Sequence, residues 1–288
     1  MKINIATKHR TKYIIDKYNL FAKKNYGQNF LINPTIIENI VNLSDISKED
    51  YVIEIGPGIG ALTEALVQVA YEVYAFEIDK DLEKVLNNEI ISSNLHIIIK
   101  DFLKVNLDEF LSSLDPDRNI VIVSNLPYYI TSDILTKLIT SNINYKSIIV
   151  MLQKEVGEKF INNKGKKEES VLTYLARYYC NCEKLIDVDL TNFIPAPNIE
   201  STVIKFTKKD YPLKVKDNSK FLAVTKALLK MRRKTIQNNL NSYLPSKNDT
   251  LEVLNELNID PLTRAESLSL DDFIKITNKI CDKYLDKE

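Results

Sequence analysis

Tyr51-Val52-Ile53-Glu54-Ile55-Gly56-Pro57-Gly58-Ile59-Gly60 decides how the rest of the chain folds. Its first five residues, apolar apart from Glu54, read as a buried strand. The next five hold three of the six glycines in 288 residues, and Leu62–Val69 follows with helical periodicity. Glycines between a strand and a helix let the backbone turn tightly and approach a ligand at the positively polarised helix N-terminus. This is the placement of the ligand loop in a nucleotide-binding βαβ unit. The spacing is not Gly-x-Gly-x-x-Gly, however, and a carboxylate at Glu54 would repel a dinucleotide's pyrophosphate. Both features argue against an NAD-dependent dehydrogenase. A carboxylate there suits a cofactor carrying positive charge.

Outward from this stretch the pattern alternates. Helical periodicity is expected at 36–43, 62–69, 81–86, 134–139 and 171–179; apolar, β-branched strands are expected at 51–55, 73–78, 95–99, 120–124 and 147–153. Segments 185–188 and 202–206 make a closing strand pair. Alternation with strands apolar throughout predicts an α/β fold with a mostly parallel sheet covered on both faces. After Thr207 the signals are helical only. Lys208–Asn218 reads as a charged linker containing Pro212, and Ser219 as the N-cap of a helix running to about Leu240. On its wheel Phe221, Val224, Leu228, Met231 and Ile236 share one half. Lys220, Lys226, Lys230, Arg233 and Lys234 share the other, and Arg232 falls on the apolar side. Further helices are expected at 251–257 and 270–285. The domains predicted are thus a basic N-terminal segment (1–34), a catalytic domain (35–207) and a small helical domain (208–288).

Polar residues recur at the ends of successive strands. Glu77 can take both hydroxyls of a ribose, and Asp101-Phe102 can bond an adenine amino group and pack on its ring. With Glu54 and the glycines Gly56, Gly58 and Gly60, these fit S-adenosylmethionine, an adenosine carrying a sulfonium and an amino acid. Asn125-Leu126-Pro127-Tyr128 closes the next strand. Asn accepts hydrogen bonds from an amino group, Pro holds the following backbone rigid, and Tyr offers a face for a base. Read alone, the same four residues also fit a strand-to-helix turn with a buried tyrosine. In α/β sheets ligands bind beyond the carboxyl ends of the strands, where all of these converge.

Composition narrows the classes. No apolar run approaches the ~20 residues of a membrane span, and Met1-Lys2-Ile3-Asn4 lacks the apolar core of an export signal. Cys180, Cys182 and Cys281 read as free thiols of a reducing compartment, and with His9 and His96 as the sole histidines no metal site is expected. The net charge of zero conceals segregation. Residues 1–24 hold seven Lys/Arg against Asp16, residues 208–239 hold ten against Asp210 and Asp217, and the segment between them carries 16 basic against 26 acidic residues. Two basic ends around an acidic body predict a polyanionic partner.

The chain resembles the small-subunit rRNA adenine dimethyltransferases of the KsgA type. The motifs that carry the likeness are Gly27-Gln28-Asn29-Phe30-Leu31, Glu54–Gly60, Asn125-Leu126-Pro127-Tyr128 and Gln153-Lys154-Glu155-Val156. Phe193-Ile194-Pro195-Ala196-Pro197 with Ser201, Arg232-Arg233-Lys234-Thr235 and Arg264-Ala265-Glu266-Ser267-Leu268 extend it over most of the chain. The resemblance implies a Rossmann-like class I methyltransferase with a mostly parallel seven-stranded sheet and a small all-helical C-terminal domain. It implies cofactor contacts at Gln28, Asn29, Leu31, Gly56, Glu77, Asp101 and Asn125, to which the reading of the strand ends adds Glu54, Gly58, Gly60 and Phe102. It implies catalysis by Asn125, Leu126, Pro127 and Tyr128, with Phe193 covering the second face of the base. RNA contacts are expected at Lys23, Lys24, Lys226, Lys230, Arg233 and Lys234. The implied substrate is two adjacent adenines in the 3′-terminal hairpin loop of small-subunit rRNA, within an immature subunit, met by a cytoplasmic monomer. The family's usual Tyr-Gly pair before the helix at Val171 is replaced by Lys166-Lys167-Glu168-Glu169-Ser170. Two other functions share parts of the pattern: the large-subunit rRNA adenine methyltransferases of macrolide resistance, and an assembly factor acting mainly by binding.

Overall fold

A computed structural model describes residues 4–20, 29–161 and 169–284. In chain order these form α1 (Lys8–Lys17), β1 (Phe30–Leu31), α2 (Pro34–Leu43), β2 (Tyr51–Ile55), α3 (Thr63–Val69), β3 (Glu72–Glu77), α4 (Lys80–Glu89) and β4 (Leu95–Ile99). Next come α5 (Leu107–Ser112), β5 (Ile120–Asn125), α6 (Thr131–Thr140), β6 (Tyr145–Gln153), α7 (Lys154–Ile161), α8 (Val171–Tyr179) and β7 (Cys180–Val188). The series ends with β8 (Phe193–Ile194), β9 (Ser201–Lys208), α9 (Asn218–Leu229), α10 (Ile236–Leu240), α11 (Lys247–Glu256) and α12 (Leu270–Tyr284).

Seven strands make one sheet in the order β4-β3-β2-β5-β6-β9-β7. The strands β2 to β6 pair in parallel, and β9 joins β6 antiparallel. The apolar strands Val52–Ile55 and Ile120–Val123 occupy the centre, buried from both sides. From β2 the chain runs outward to β3 and β4, then crosses back to lay β5 on the other side of β2. That reversal opens a crevice beyond the carboxyl ends of β2 and β5. A separate two-stranded ribbon pairs Phe30 with Ile194 and Leu31 with Phe193. It brings a segment distant in sequence to the rim of the sheet, and short-range sequence patterns carry no sign of it.

The chain divides into two compact units. The first takes the described residues up to Ile161 with Asn181–Lys208, so α1, inside the segment set apart at 1–34, belongs with the sheet. The second takes the described residues from Glu169 to Cys180 and from Lys209 onward. Helix α8, counted with the catalytic segment 35–207 on sequence, thus joins the helical unit. Its apolar face explains this: Tyr174 stacks on Phe273 at 4.1 Å between ring centroids, and Tyr178 packs 5.0 Å from Phe221.

Helix α9 also differs from the expected single helix reaching Leu240. Asp217, not Ser219, is its N-cap, accepting from the Lys220 amide at 2.8 Å. The helix ends at Leu229, where Asn239 Nδ2 donates to the Leu228 carbonyl at 2.7 Å and to that of Met231 at 3.2 Å. A buried amide that closes one helix and sits in the next has a stronger claim on those carbonyls than continued helix would. Met231, placed on the apolar half by periodicity, consequently lies exposed. Arg232, exposed rather than on an apolar face, donates from Nη2 to the Glu169 carbonyl at 2.9 Å. No helix among the described residues is long and apolar enough to cross a membrane.

Candidate active site

A cavity of about 1100 Å³, its open mouth included, lies in the crevice between β2 and β5. Its wall gathers Asn29, Leu31, Glu54, Gly56, Gly58, Glu77, Asp101, Phe102 and the whole of Asn125–Tyr128. Apart from Asn29 and Leu31, which the resemblance implies, these belong to the strand ends and turns picked out in the sequence.

The floor is the loop after β2. Gly56 has φ +71°, a left-handed conformation that disfavours any side chain, and a Cβ there would stand 3.4 Å from the Pro127 ring. The glycine loop and the Asn125 turn are therefore in direct apposition. Gly60 differs from the expectation: it is not on the wall. At φ +89° its added Cβ would stand 2.3 Å from Ile90 Cδ1, so its glycine serves the packing of α4 rather than a ligand.

The carboxylates differ in their settings. Glu77 Oε1 accepts from the amides of Ile78 at 2.8 Å and Asp79 at 2.9 Å, and Oε2 from Gly58 at 3.2 Å. Burial nevertheless holds its carboxyl above the usual range. Glu54 is 1% exposed, and its Oε2 has no hydrogen-bond partner among the described residues. Burial pushes this carboxyl up to about 8 against the opposing effect of the nearby Thr63 hydroxyl, with the Glu77 charge adding to the rise. A buried carboxylate oxygen left without a partner is costly unless a cation or donor completes it. The set therefore fits a ligand with a cationic end at Glu54 and hydroxyls at Glu77. Asp101 caps a short 3-10 turn, Phe102–Lys104, accepting from Leu103 N at 3.0 Å. Phe102 sits buried edge-on to Phe76 at 5.3 Å.

Asn125 ends β5 in parallel register with Met151. The Leu126 amide donates to the Met151 carbonyl at 3.1 Å, and the Pro127 carbonyl accepts from Ile130 N at 3.2 Å and Thr131 Oγ1 at 3.0 Å. Tyr128 is pinned through its hydroxyl, 2.7 Å from Ser201 Oγ at the start of β9. The turn is thus clamped at each residue after Asn125.

Phe193 is not brought to the wall. It is buried in β8 opposite Leu31, and its ring belongs to the core that carries Leu31. Gln28, Lys23 and Lys24 lie outside the described residues. Lys226, Lys230, Arg233 and Lys234 are exposed in the second unit. Sequence reasoning missed Phe30, Phe76, Lys100, Ser124 and Met151 as wall residues. Phe30 lies inside the quoted Gly27–Leu31 motif, and Phe76 and Ser124 each directly precede a residue singled out at a strand end, Glu77 and Asn125; Met151, inside the strand expected at 147–153, had no such signal.

A family model described as ribosomal RNA adenine dimethylase matches residues 19–282. The chain belongs to that family. It is 41% identical to the ribosomal RNA small subunit methyltransferase A of Clostridium botulinum, over 94% of this chain and 98% of that protein. Its identity to the protein of the same name from Bacillus mycoides is 40%, over 96% and 97%. A crystal structure of a dimethyladenosine transferase from Plasmodium falciparum superposes with a TM-score of 0.66 at 26% identity, covering 85% of this chain and 95% of that one. Membership of the adenine dimethylase family accounts for the Asn-Leu-Pro-Tyr turn sharing a cavity with the glycine loop.

Proposed function

We propose that this enzyme transfers methyl groups from S-adenosylmethionine to the exocyclic amines of two adjacent adenines in the 3′-terminal hairpin loop of small-subunit rRNA. It acts in the cytoplasm, as a monomer, on an immature small subunit. One observation carries the reading: Asn125–Tyr128 lines the same cavity as Glu54, Gly56, Glu77 and Asp101. The names borne by the relatives from C. botulinum and B. mycoides support the choice of subunit over the large-subunit alternative.

Bound S-adenosylmethionine would supply a methyl group on a sulfonium, open to in-line attack by an amine. The chain's contribution is positioning and electrostatics. Glu54 stands ready to face positive charge, Glu77 the ribose, and Asp101 with Phe102 the adenine. The target adenine would be turned out of its stack against Tyr128, whose ring Ser201 holds in place. Its two N–H groups would donate to the Asn125 side-chain oxygen and the Leu126 carbonyl. Donation to both draws the nitrogen toward a pyramidal shape and frees its lone pair. The amine loses its proton readily once the methyl has arrived, so two neutral acceptors suffice and no strong base is called for. Lys226, Lys230, Arg233 and Lys234 would meet phosphates.

Methylation of immature small subunits with labelled cofactor, followed by mapping of the modified bases, tests the reading. Dimethyladenine at two adjacent loop positions is expected. Asn125→Ala should lower single-turnover transfer by about 10³-fold while leaving RNA affinity nearly unchanged. Label on large-subunit RNA, or equal loss of binding and transfer, would overturn it.

A further inference from the structure

Lys137 lies in the second turn of α6, among the buried Ile134, Leu135, Leu138 and Ile139. It is not on the cavity wall. Its Nζ donates to the carbonyl of Leu103 at 2.8 Å and to that of Val105 at 2.6 Å. Those carbonyls close the 3-10 turn Phe102–Lys104 that carries two wall residues, Asp101 and Phe102, at its start. At the other end of the turn Asp101 Oδ1 accepts from Leu103 N, and the Asp101 carbonyl accepts from Lys104 N at 2.9 Å. The carboxylate thus holds the amide end and the ammonium the carbonyl end.

A single 3-10 turn has little stability of its own, and its last carbonyls have no partner inside it. An ammonium bonded to two of them is a charge-assisted clamp, stronger than neutral contacts. The clamp comes from a particular helix. Helix α6 starts at the Asn125–Tyr128 turn, where Thr131 Oγ1 and the Ile130 amide both bond the Pro127 carbonyl. The same rigid element therefore touches the turn proposed for the target amine at one end and the Asp101 turn further along.

We infer that Lys137 is a positioning residue for the cofactor's adenine end, fixing Asp101 in the orientation that selects a 6-amino purine. This rests on Asp101 being the partner of the adenine amine. Without the clamp, the Phe102–Lys104 turn would relax and Asp101 would sample other orientations. Binding would weaken, and it would weaken more for a purine that depends on Asp101 than for one that does not.

Calorimetric titration with S-adenosylhomocysteine and S-inosylhomocysteine separates the possibilities, because only the first carries the amine. The wild-type protein should prefer the adenosyl compound by about tenfold or more, the ordinary worth of a hydrogen bond to a charged group. Lys137→Met should weaken adenosyl binding by about tenfold and inosyl binding far less, so that most of the preference disappears. Lys137→Arg, which keeps the donors, should restore it. If Lys137→Met melts too early to titrate, Lys137→Gln, which loses the charge and keeps amide donors, should lose part of the preference in the same direction. Equal weakening of both compounds, with the preference intact, would overturn the positioning role and leave Asp101 as the adenine's partner. No preference in the wild-type protein would overturn the Asp101 assignment and this inference with it.

Discussion

Asp50 just before the central strand β2 and Glu54 near its carboxyl end are both buried, at 0% and 1% exposure, and the protein treats their charges in opposite ways. Asp50, at the strand's amino end, is saturated. Its Oδ2 accepts from the Ser47 amide at 2.8 Å, the Ser47 hydroxyl at 3.0 Å and Lys146 Nζ at 3.3 Å, while Oδ1 accepts from Asn119 at 3.0 Å. Burial works to raise its carboxyl, but these donors overcome it and hold the group below its ordinary value. Glu54, at the carboxyl end, has an oxygen with no partner among the described residues and a carboxyl raised to about 8. A buried charge without a partner costs stability, and such sites cluster where a ligand completes them. One edge of the sheet is sealed, and the other is left electrostatically incomplete.

The largest expected effect falls on the sealed edge. Asp50→Ala should cost about 3 kcal/mol in urea unfolding, because it removes four hydrogen bonds to a buried carboxylate, although the donors on Ser47, Asn119 and Lys146 keep access to solvent and Lys146 keeps Asp45. Binding of S-adenosylhomocysteine by the folded fraction should not change. A loss below about 1 kcal/mol would show that the Asp50 cluster seals nothing.

Glu54→Gln should do the reverse. It removes an uncompensated charge, so the ligand-free protein should melt higher at pH 8. It also removes the carboxylate proposed to face the cofactor's positive end, so cofactor affinity should fall by about 10- to 100-fold, the range for one hydrogen bond to a charged group. Unchanged affinity would break the contrast between the two ends of β2.

The sheet and the floor of the site were legible because they rest on local pattern. Apolar strands, a glycine loop and a polar residue at each strand end are all short-range features, and β2 to β6 follow them. What escaped was set by contacts between distant segments. Gly60 looked like a loop glycine, but Ile90 lies where its side chain would be. Phe193 looked like a stacking ring beside two prolines, but pairing with Leu31 takes it into the core. The helix expected to reach Leu240 stops because Asn239 folds back on Leu228 and Met231. The glycine loop that follows Glu54 sets it apart in sequence, but nothing there marks Asp50 as saturated, because donors that satisfy it come from residues 119 and 146.

The same contrast fixes the sign of a pH dependence. A carboxyl raised by folding binds its proton more tightly in the native than in the unfolded chain. Its neutral form stabilises fully below the ordinary carboxylate value of about 4.5, and that contribution is lost as pH rises toward about 8. A depressed carboxyl such as Asp50 behaves oppositely, contributing above about 3.8 and losing its contribution in acid. Between pH 5 and 8 Asp50 is therefore silent and the slope belongs to Glu54 and Glu77, both raised by burial. Stability of the ligand-free protein should fall across that range by up to about 1.4 kcal/mol per pH unit for each proton the unfolded chain releases and the native one keeps. Glu54→Gln should flatten most of the slope, and adding Glu77→Gln should reduce what remains. Binding of a cationic cofactor favours ionised Glu54, so its affinity should rise with pH over the same interval as a proton is released. Calorimetry in buffers of different ionisation enthalpy counts that proton directly; a count of zero at pH 6.5 would show that Glu54 is already charged before the cofactor arrives.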